Sequence, residues 1–229
     1  MHEAIARRIL LERRNPVMTH SPNLDPNSIL QITQDMSWKT ANEIERIVLI
    51  PFARMQFGLS GILYGQGWKI YGLPILQKHR LSTFTIGDHC ELRSTARSNP
   101  LGTNRPVILS TRSAHAKLVI GKHFGMTGGS IVCENNITIG DRVIVGANTV
   151  IVDTDFHPIH PSIRRVRPLD GATAPVTIED DVFIGMHSLV LKGVTIGAGS
   201  VIGAGSVVTH DIPAGMIAAG NPAQVIREV

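Results

Sequence analysis

The chain has 229 residues, of which 43% are hydrophobic but only 4% are aromatic, so its core must be built from aliphatic side chains. Its formal net charge of +4 would suit an anionic ligand, yet basic and aromatic residues are not interleaved as in a nucleic-acid surface, so we expect no nucleic-acid partner. Two cysteines, Cys90 and Cys133, without a C-x-x-C pair predict a reducing, cytoplasmic compartment and no disulfide.

The first 80 residues do not repeat, and they predict two helices, over residues 3–14 and 40–58. Four apolar residues of the second helix share one face: Ile44, Ile47, Val48 and Phe52. We expect this face to cap the open end of the structure that follows, and the alternative is an anchor at a membrane surface. Charged residues throughout residues 3–14, and the breaks in the apolar run 47–64, predict neither an export signal nor a membrane span.

From about residue 81 the chain repeats every six residues. The segments "GWKIYGLPIL" and "TIGDHCEL" are typical of irregular first repeats. Six hexads then run in unbroken register, with their aliphatic positions at Ile178, Ile184, Val190, Ile196, Ile202 and Val208. The same frame holds Ile139, Val145 and Ile151 and, after a one-residue slip at Thr138, Ile120, Met126 and Val132.

A period of six excludes an amphipathic helix, because successive aliphatic residues would rotate by about 120 degrees around the helix axis. Short strands that end at small corner residues fit the period instead. Such strands stack as parallel ladders about 4.8 Å apart, and three hexads close one triangular coil. The sequence therefore predicts an all-β parallel β-helix over residues 81–229, preceded by a partly helical cap and irregular first coils over residues 1–80.

The frame breaks after Phe156 and resumes at Ile178, which predicts an extended loop over residues 157–177. His157 stands at the root of this loop, where an adjoining strand would hold it in place. Histidine is suited to remove a proton from a hydroxyl group near neutral pH, and the carboxylate of Asp153 or Asp155 could orient its ring. His160 also precedes a proline, and both histidines could instead be ordinary loop residues.

The segments "GMTGGSIVCENNITIGDRVIVGAN", "VDTDFHPIHPSIRR" and "VTIGAGSVIGAGSVVTHDIPAGMIAAGNPAQVIREV" resemble the hexapeptide-repeat acyltransferases. Within that family they resemble the sugar and polysaccharide O-acetyltransferases, a group with maltose, galactoside and nodulation-factor enzymes. The resemblance implies a left-handed β-helix and acetyl-coenzyme A as co-substrate. It also implies direct acetyl transfer to a sugar hydroxyl of a bacterial polysaccharide or its precursor, with His157 as the general base.

The resemblance also implies where the coenzyme binds. Its pantetheine arm would pass the corners at Gly185, Ala204 and Thr209, between subunits of a homotrimer, and Arg227 matches an arginine near the nucleotide end. The "MTGGSIV" coil lacks the asparagines that bind the sugar in galactoside-type enzymes, so the acceptor should differ from a simple disaccharide.

Two other functions fit the same repeat: N-acetylation of an amino or nucleotide sugar, and a β-helical binding or scaffold protein without turnover. A zinc site like that of the γ-class carbonic anhydrases is not expected, because no two histidines are five residues apart. We therefore expect no metal.

Overall fold

The computed structural model of the chain describes residues 36–229, so the helix expected at residues 3–14 lies outside the described residues. The chain divides into two compact units, Met1–Thr40 and Ala41–Val229. Only residues 36–40 of the first unit are described, and helix α1 (Ser37–Leu59) begins within them. The second unit carries all of the strands described below.

Nineteen strands of the described residues form three sheets. The first sheet contains β1 (Lys69–Tyr71), β4 (Glu91–Arg93), β7 (Gly125–Thr127), β10 (Ile144–Val145), β13 (Phe183–Ile184), β16 (Val201–Ile202), β18 (Met216–Gly220) and β19 (Ala223–Glu228). The second contains β2 (Ile75–Lys78), β5 (Ile108–Thr111), β8 (Ser130–Cys133), β11 (Val150–Val152), β14 (Leu189–Val190) and β17 (Val207–Val208). The third contains β3 (Thr83–Ile86), β6 (Lys117–Ile120), β9 (Asn136–Ile139), β12 (Val176–Ile178) and β15 (Thr195–Ile196).

From β1 to β17, successive strands visit the first, second and third sheets in turn, and each pairs in parallel with the strand one coil away. Only the terminal β18–β19 pair is antiparallel among the described strands. This is the predicted parallel β-helix. The six aliphatic positions of the unbroken hexads are all fully buried, which confirms the inward face that the period predicts: Ile178, Ile184, Val190, Ile196, Ile202 and Val208.

The prediction that Val132 faces the core is wrong. Ile131 is the fully buried residue of β8 and pairs with Ile151. The frame shifts because Gly128 and Gly129 both adopt positive φ, which shortens the corner before β8. A side chain on Gly129 would place its Cβ 2.1 Å from the carbonyl oxygen of Thr149, so only glycine fits this corner.

Helix α1 spans Ser37–Leu59, close to the predicted 40–58, but it is attached through a different face from the one expected. The side chains of Ile44, Ile47, Val48 and Phe52 are exposed, so the prediction that they cover the coil stack is wrong. The helix instead buries Asn42, Ala53 and Phe57. Strands β1 and β2 already pair with β4 and β5, so stacking begins at Lys69, and the domain division at residue 80 stays a prediction.

Candidate active site

The longest excursion from the β-helix leaves the stack after β11 and returns at β12. Its root is held by an antiparallel bridge between Thr154 and Thr173 and by hydrogen bonds from the Asp155 amide to the Ala172 carbonyl (2.9 Å) and from the Ala174 amide to the Asp153 carbonyl (3.0 Å). Inside the predicted loop lies a short helix, α2 (Pro161–Val166). The segment that leads to His157 therefore starts from a fixed position on the β-helix.

The ring of His157 has one backbone partner. Its Nδ1 atom lies 2.6 Å from the carbonyl oxygen of Pro168, on the far side of the excursion, and the side chain is otherwise exposed. A carbonyl oxygen only accepts hydrogen bonds, so Nδ1 must carry the proton. In the neutral ring the lone pair is then on Nε2, which is the state that a general base needs.

His160 lacks this constraint. Its Nδ1 atom lies 2.7 Å from the hydroxyl of Ser162, which can donate or accept, so the contact does not select a tautomer. The residue directly precedes α2 and is exposed. The geometry thus separates two histidines that look alike in the sequence.

Asp153, which we expected beside the histidine ring, is fully buried at the corner between the second and third sheets. Its carboxylate accepts hydrogen bonds from the amides of Glu134 (2.7 Å) and Asn135 (2.8 Å) in the preceding coil and lies 3.5 Å from the thiol of Cys133. Burial and, next, the negative charge of Asp153 raise the pKa of the Cys133 thiol to about 12. Asp153 therefore stabilises the backbone at the corner between the second and third sheets.

Asp155 is engaged by Lys192, whose Nζ lies 2.8 Å from its Oδ1. Its second oxygen is buried without a hydrogen-bond partner in the described part of the chain. The structure thus gives the ring of His157 a backbone partner, where the sequence favoured one of these two carboxylates. Pro168 carried no signal in the sequence, because its role uses only a main-chain oxygen.

A second feature is an apolar groove of about 420 Å³ along the corner between the first and second sheets. Stacked small residues form its edge, and the aliphatic and aromatic side chains on the outer side of the first sheet form its floor: Gly146, Gly185, Gly203, Ala147, Ala204, Ile144, Phe183 and Val201. Asn99 and Leu101, on the long connection between β4 and β5, add a wall that sequence reasoning missed. The only sign of this wall in the sequence is a break in the early, irregular repeats.

Of the four residues expected to bind the coenzyme, the structure brings two together in this groove. A Cβ on Gly185 would lie 2.5 Å from the amide nitrogen of Ala204, so these corners stack in close contact. Thr209 follows β17 at the exit corner of the second sheet, away from the groove, with its hydroxyl 2.8 Å from the Nδ1 atom of His210. Arg227 is exposed on β19, at the end of the first sheet.

The groove and the histidine lie at opposite ends of the second sheet within one chain. The groove lines the corner where the chain enters this sheet, for example between β10 and β11. His157 comes after β11 has ended, and its neighbour Asp155 contacts Lys192, which follows β14 at the exit corner. One chain therefore separates the apolar groove from the base by the width of a sheet.

Three further observations concern the described residues alone. Residues 36–229 contain no cluster of three or more His, Cys, Asp or Glu side chains that could hold a metal ion. Within the same range no helix is long and apolar enough to cross a membrane. Cys90 and Cys133 are both buried and free.

Comparisons with known proteins agree with this geometry. A family profile described as the hexapeptide repeat of succinyl-transferase matches residues 175–210. A galactoside O-acetyltransferase of Escherichia coli (strain K12) is 45% identical over 100 residues, which are 44% of this chain and 48% of that protein. A galactoside O-acetyltransferase of Lactococcus lactis subsp. lactis (strain IL1403) is 36% identical over 146 residues, which are 63% of this chain and 62% of that protein.

A solved structure of a galactoside acetyltransferase in complex with coenzyme A superimposes with a TM-score of 0.50 and 26% identity, over 84% of this chain and 82% of that one. Fold and site thus define a left-handed parallel β-helix of hexapeptide repeats. The chain is thus similar to hexapeptide-repeat acetyltransferases in its repeats, in its fold and in its matches to these relatives. It spans about half to three fifths of the length of the two curated relatives.

Proposed function

We propose that this protein is a cytoplasmic acetyl-coenzyme A-dependent O-acetyltransferase that modifies a sugar hydroxyl of a bacterial polysaccharide or its precursor. The observation that carries the proposal is the ring of His157, whose Nδ1 proton is committed to Pro168 and whose Nε2 is left free as a base. The names of the relatives, two galactoside O-acetyltransferases and a structure with bound coenzyme A, support the reaction class and the donor.

In the proposed reaction, Nε2 of His157 removes the proton of the sugar hydroxyl as its oxygen attacks the thioester carbonyl. The carbon–sulfur bond then breaks, the acetyl group stays on the sugar oxygen, and the imidazolium returns its proton to the coenzyme thiolate. The carbonyl of Pro168 holds the ring in place and stabilises its positive charge in between. Both cysteines are buried, and the thiol of Cys133 stays protonated, so transfer without an acyl-cysteine intermediate is the simpler route.

The groove is the proposed site of the pantetheine arm. A thin, flexible chain needs a narrow apolar channel with close access to backbone groups, which the corners at Gly185 and Ala204 supply. Arg227 lies in the same sheet and would meet the anionic nucleotide end. Thr209 is partly exposed at the exit corner of the second sheet, so it would contribute from a neighbouring subunit.

A complete active site needs both the groove and His157, and one chain places them at opposite ends of the second sheet. We therefore propose a homotrimer in which the groove of one subunit faces His157 of the next, since a cyclic arrangement closes three identical sites. The exposed side chains of Ile144 and Phe183 on the groove floor support this arrangement, because they would be covered by a neighbour and the coenzyme.

The test is release of coenzyme A thiol from acetyl-coenzyme A, measured with a panel of neutral, acidic and amino sugars and their polymers. O-acetylation predicts acceptor-dependent release and an alkali-labile product. Release with amino sugars alone, giving an alkali-stable amide, would favour N-acetylation. No acceptor-dependent release across the panel would favour a binding protein without turnover.

A further inference from the structure

The apolar groove between the first and second sheets runs along the axis of the β-helix. Its lining residues come from the coils that contain β7, β10, β13 and β16, from Thr127 at one end to Ala204 at the other. Since neighbouring coils are about 4.8 Å apart, these four coils span about 14 Å. The wall formed by Asn99 and Leu101 also lines the groove. The two ends of the groove are therefore built from different parts of the chain.

Hydrogen bonds place the wall at the Thr127 end of the groove. The side-chain amide of Asn99 donates to the hydroxyl of Thr127 (3.1 Å), which lies on the earliest of the four coils. The side-chain oxygen of Asn99 accepts a hydrogen bond from the main-chain amide of Leu101 (2.9 Å). Asn99 therefore ties the turn that carries Leu101 to this end of the groove.

The connection between β4 and β5 that carries the wall is held at further points. The amide of Asn104 donates to the side-chain oxygen of Asn148 (2.8 Å), at the corner between the first and second sheets. Helix α1 contacts the same connection, because the side-chain amide of Asn42 donates to the carbonyl of Arg97 (3.1 Å) and Glu45 pairs with Arg97 at 2.7 Å. A group that reaches the wall would therefore meet a fixed part of the structure.

The proposed function gives the direction in which the coenzyme would lie. Arg227, which would meet the nucleotide end, lies on β19, and the first sheet continues from β16 through β18 to β19 beyond the Ala204 end. The thioester would therefore point toward the Thr127 end. In a cyclic trimer whose axis is parallel to the β-helix, equivalent coils lie at one height. His157 follows β11, so its ring would meet the thioester near the coil of β10 and β11, one coil before the wall.

We propose that the wall restricts the donor to acetyl-coenzyme A, with Leu101 as the residue that excludes longer acyl chains. This inference rests on the proposed function, because it takes the position of the thioester from it. One coil, about 4.8 Å, separates the thioester carbon from the wall. Two carbon atoms in contact already need about 3.5–4.0 Å of that distance. The remainder is about one carbon–carbon bond, which accommodates the methyl group of an acetyl and no longer chain.

A wall reverses the ordinary dependence of affinity on chain length. In an open apolar groove, each added methylene should strengthen binding, because its removal from water is favourable. Against a fixed wall, an added methylene must displace packed atoms or stay outside the groove, and both weaken binding. The sign of the change from acetyl to butyryl therefore distinguishes a closed end from an open one.

The experiment is isothermal titration calorimetry of the full-length protein with acetyl-, propionyl- and butyryl-coenzyme A, without an acceptor. The test variant is Leu101→Ala, which removes most of the aliphatic side chain. Leu101→Met is the matched control, because it keeps a side chain of similar volume. Leu81→Ala is the second control, since Leu81 is 59% exposed and Leu101 is 62% exposed, but Leu81 lies between β2 and β3. Circular dichroism checks that each variant is folded.

We expect the wild-type protein, Leu101→Met and Leu81→Ala to bind butyryl-coenzyme A at least about tenfold more weakly than acetyl-coenzyme A, and Leu101→Ala to bind the two within about threefold of each other. Equal or tighter binding of butyryl-coenzyme A by the wild-type protein overturns this inference and leaves the proposed function standing. A tenfold difference that persists in Leu101→Ala does the same. Absence of binding by all three coenzymes overturns the proposed donor and this inference with it.

Discussion

The Nδ1 atom of His157 and the carbonyl oxygen of Pro168 are 2.6 Å apart, although eleven residues of the excursion separate them in the chain. The tautomer of the neutral ring at the root of the excursion is thus selected by a main-chain group on its far side. Any change that shifts the segment around Pro168 should alter the reactivity of His157 without touching the ring. The excursion and the proposed base act as one unit.

Replacement of His157 by alanine should lower kcat by about 10² to 10⁴, the usual contribution of a general base, with little change in the KM for acetyl-coenzyme A. Steady-state thiol release at saturating acceptor measures this. His160→Ala is the control, since it shares the loop and the following proline but its ring is not held in one tautomer. A greater loss of kcat in His160→Ala than in His157→Ala would show that His157 is not the base.

Asp153→Asn should destabilise the fold by about 2–4 kcal/mol, because an amide cannot accept both of the buried backbone hydrogen bonds that the carboxylate accepts. Urea denaturation followed by circular dichroism measures the loss. Asp155→Asn is the comparison. Its pair with Lys192 is partly exposed, so about 0–1 kcal/mol is expected. A stable Asp153→Asn protein with a selectively reduced kcat would instead support an orienting role for Asp153.

Ala204→Leu should leave the fold intact and raise the KM for acetyl-coenzyme A about tenfold or more, because the larger side chain would project into the groove from an exposed corner. Gly185→Ala should behave differently. Its new Cβ would meet the backbone of Ala204, so the main effect should be a lower Tm. Thermal unfolding and donor titration of both variants separate these effects, and an unchanged KM in Ala204→Leu would remove this corner from the donor site.

Tyr71→Phe should destabilise the protein by about 2 kcal/mol at neutral pH, because it removes a hydrogen bond to a charged carboxylate. Burial alone would raise the pKa of Glu43, but the hydrogen bond from Tyr71 and the guanidinium of Arg46 bring it below its ordinary value.

The sign of the pH dependence follows from that lowered pKa. The stabilisation by ionised Glu43 is fully present above the unfolded-state pKa and is lost as the pH falls through the folded-state pKa. The difference in unfolding free energy between wild type and Tyr71→Phe should therefore shrink in acid. Denaturant titrations at neutral and acidic pH measure it, and a difference that stays constant or grows in acid would contradict the assignment.

The sequence alone determined the coil architecture, because every coil buries an aliphatic residue at each face and turns on small residues. That requirement imposes a period of six, which is visible without coordinates from Ile178 to Val208. The break after Phe156 likewise located the excursion and His157, since an insertion in a regular repeat is obvious by contrast. The sequence misplaced the inward position of β8 at Val132 because the corners on both sides of this strand have unusual lengths. Gly128 and Gly129 shorten the corner before β8, and the corner after it is lengthened around the carboxylate of Asp153.

Only the tertiary structure decided which groups meet. The partner of His157 is a main-chain oxygen that any residue would supply, so no residue type marked Pro168 in advance. The groove joins corners from successive coils to a wall at Asn99 and Leu101, which lie far away in the chain. The apolar face of α1 at Ile44, Ile47, Val48 and Phe52 was visible as a pattern, but a pattern shows only that one side is apolar. Whether that side meets the core or the solvent depends on contacts that the other side makes with distant coils, such as those of Asn42 and Gln56.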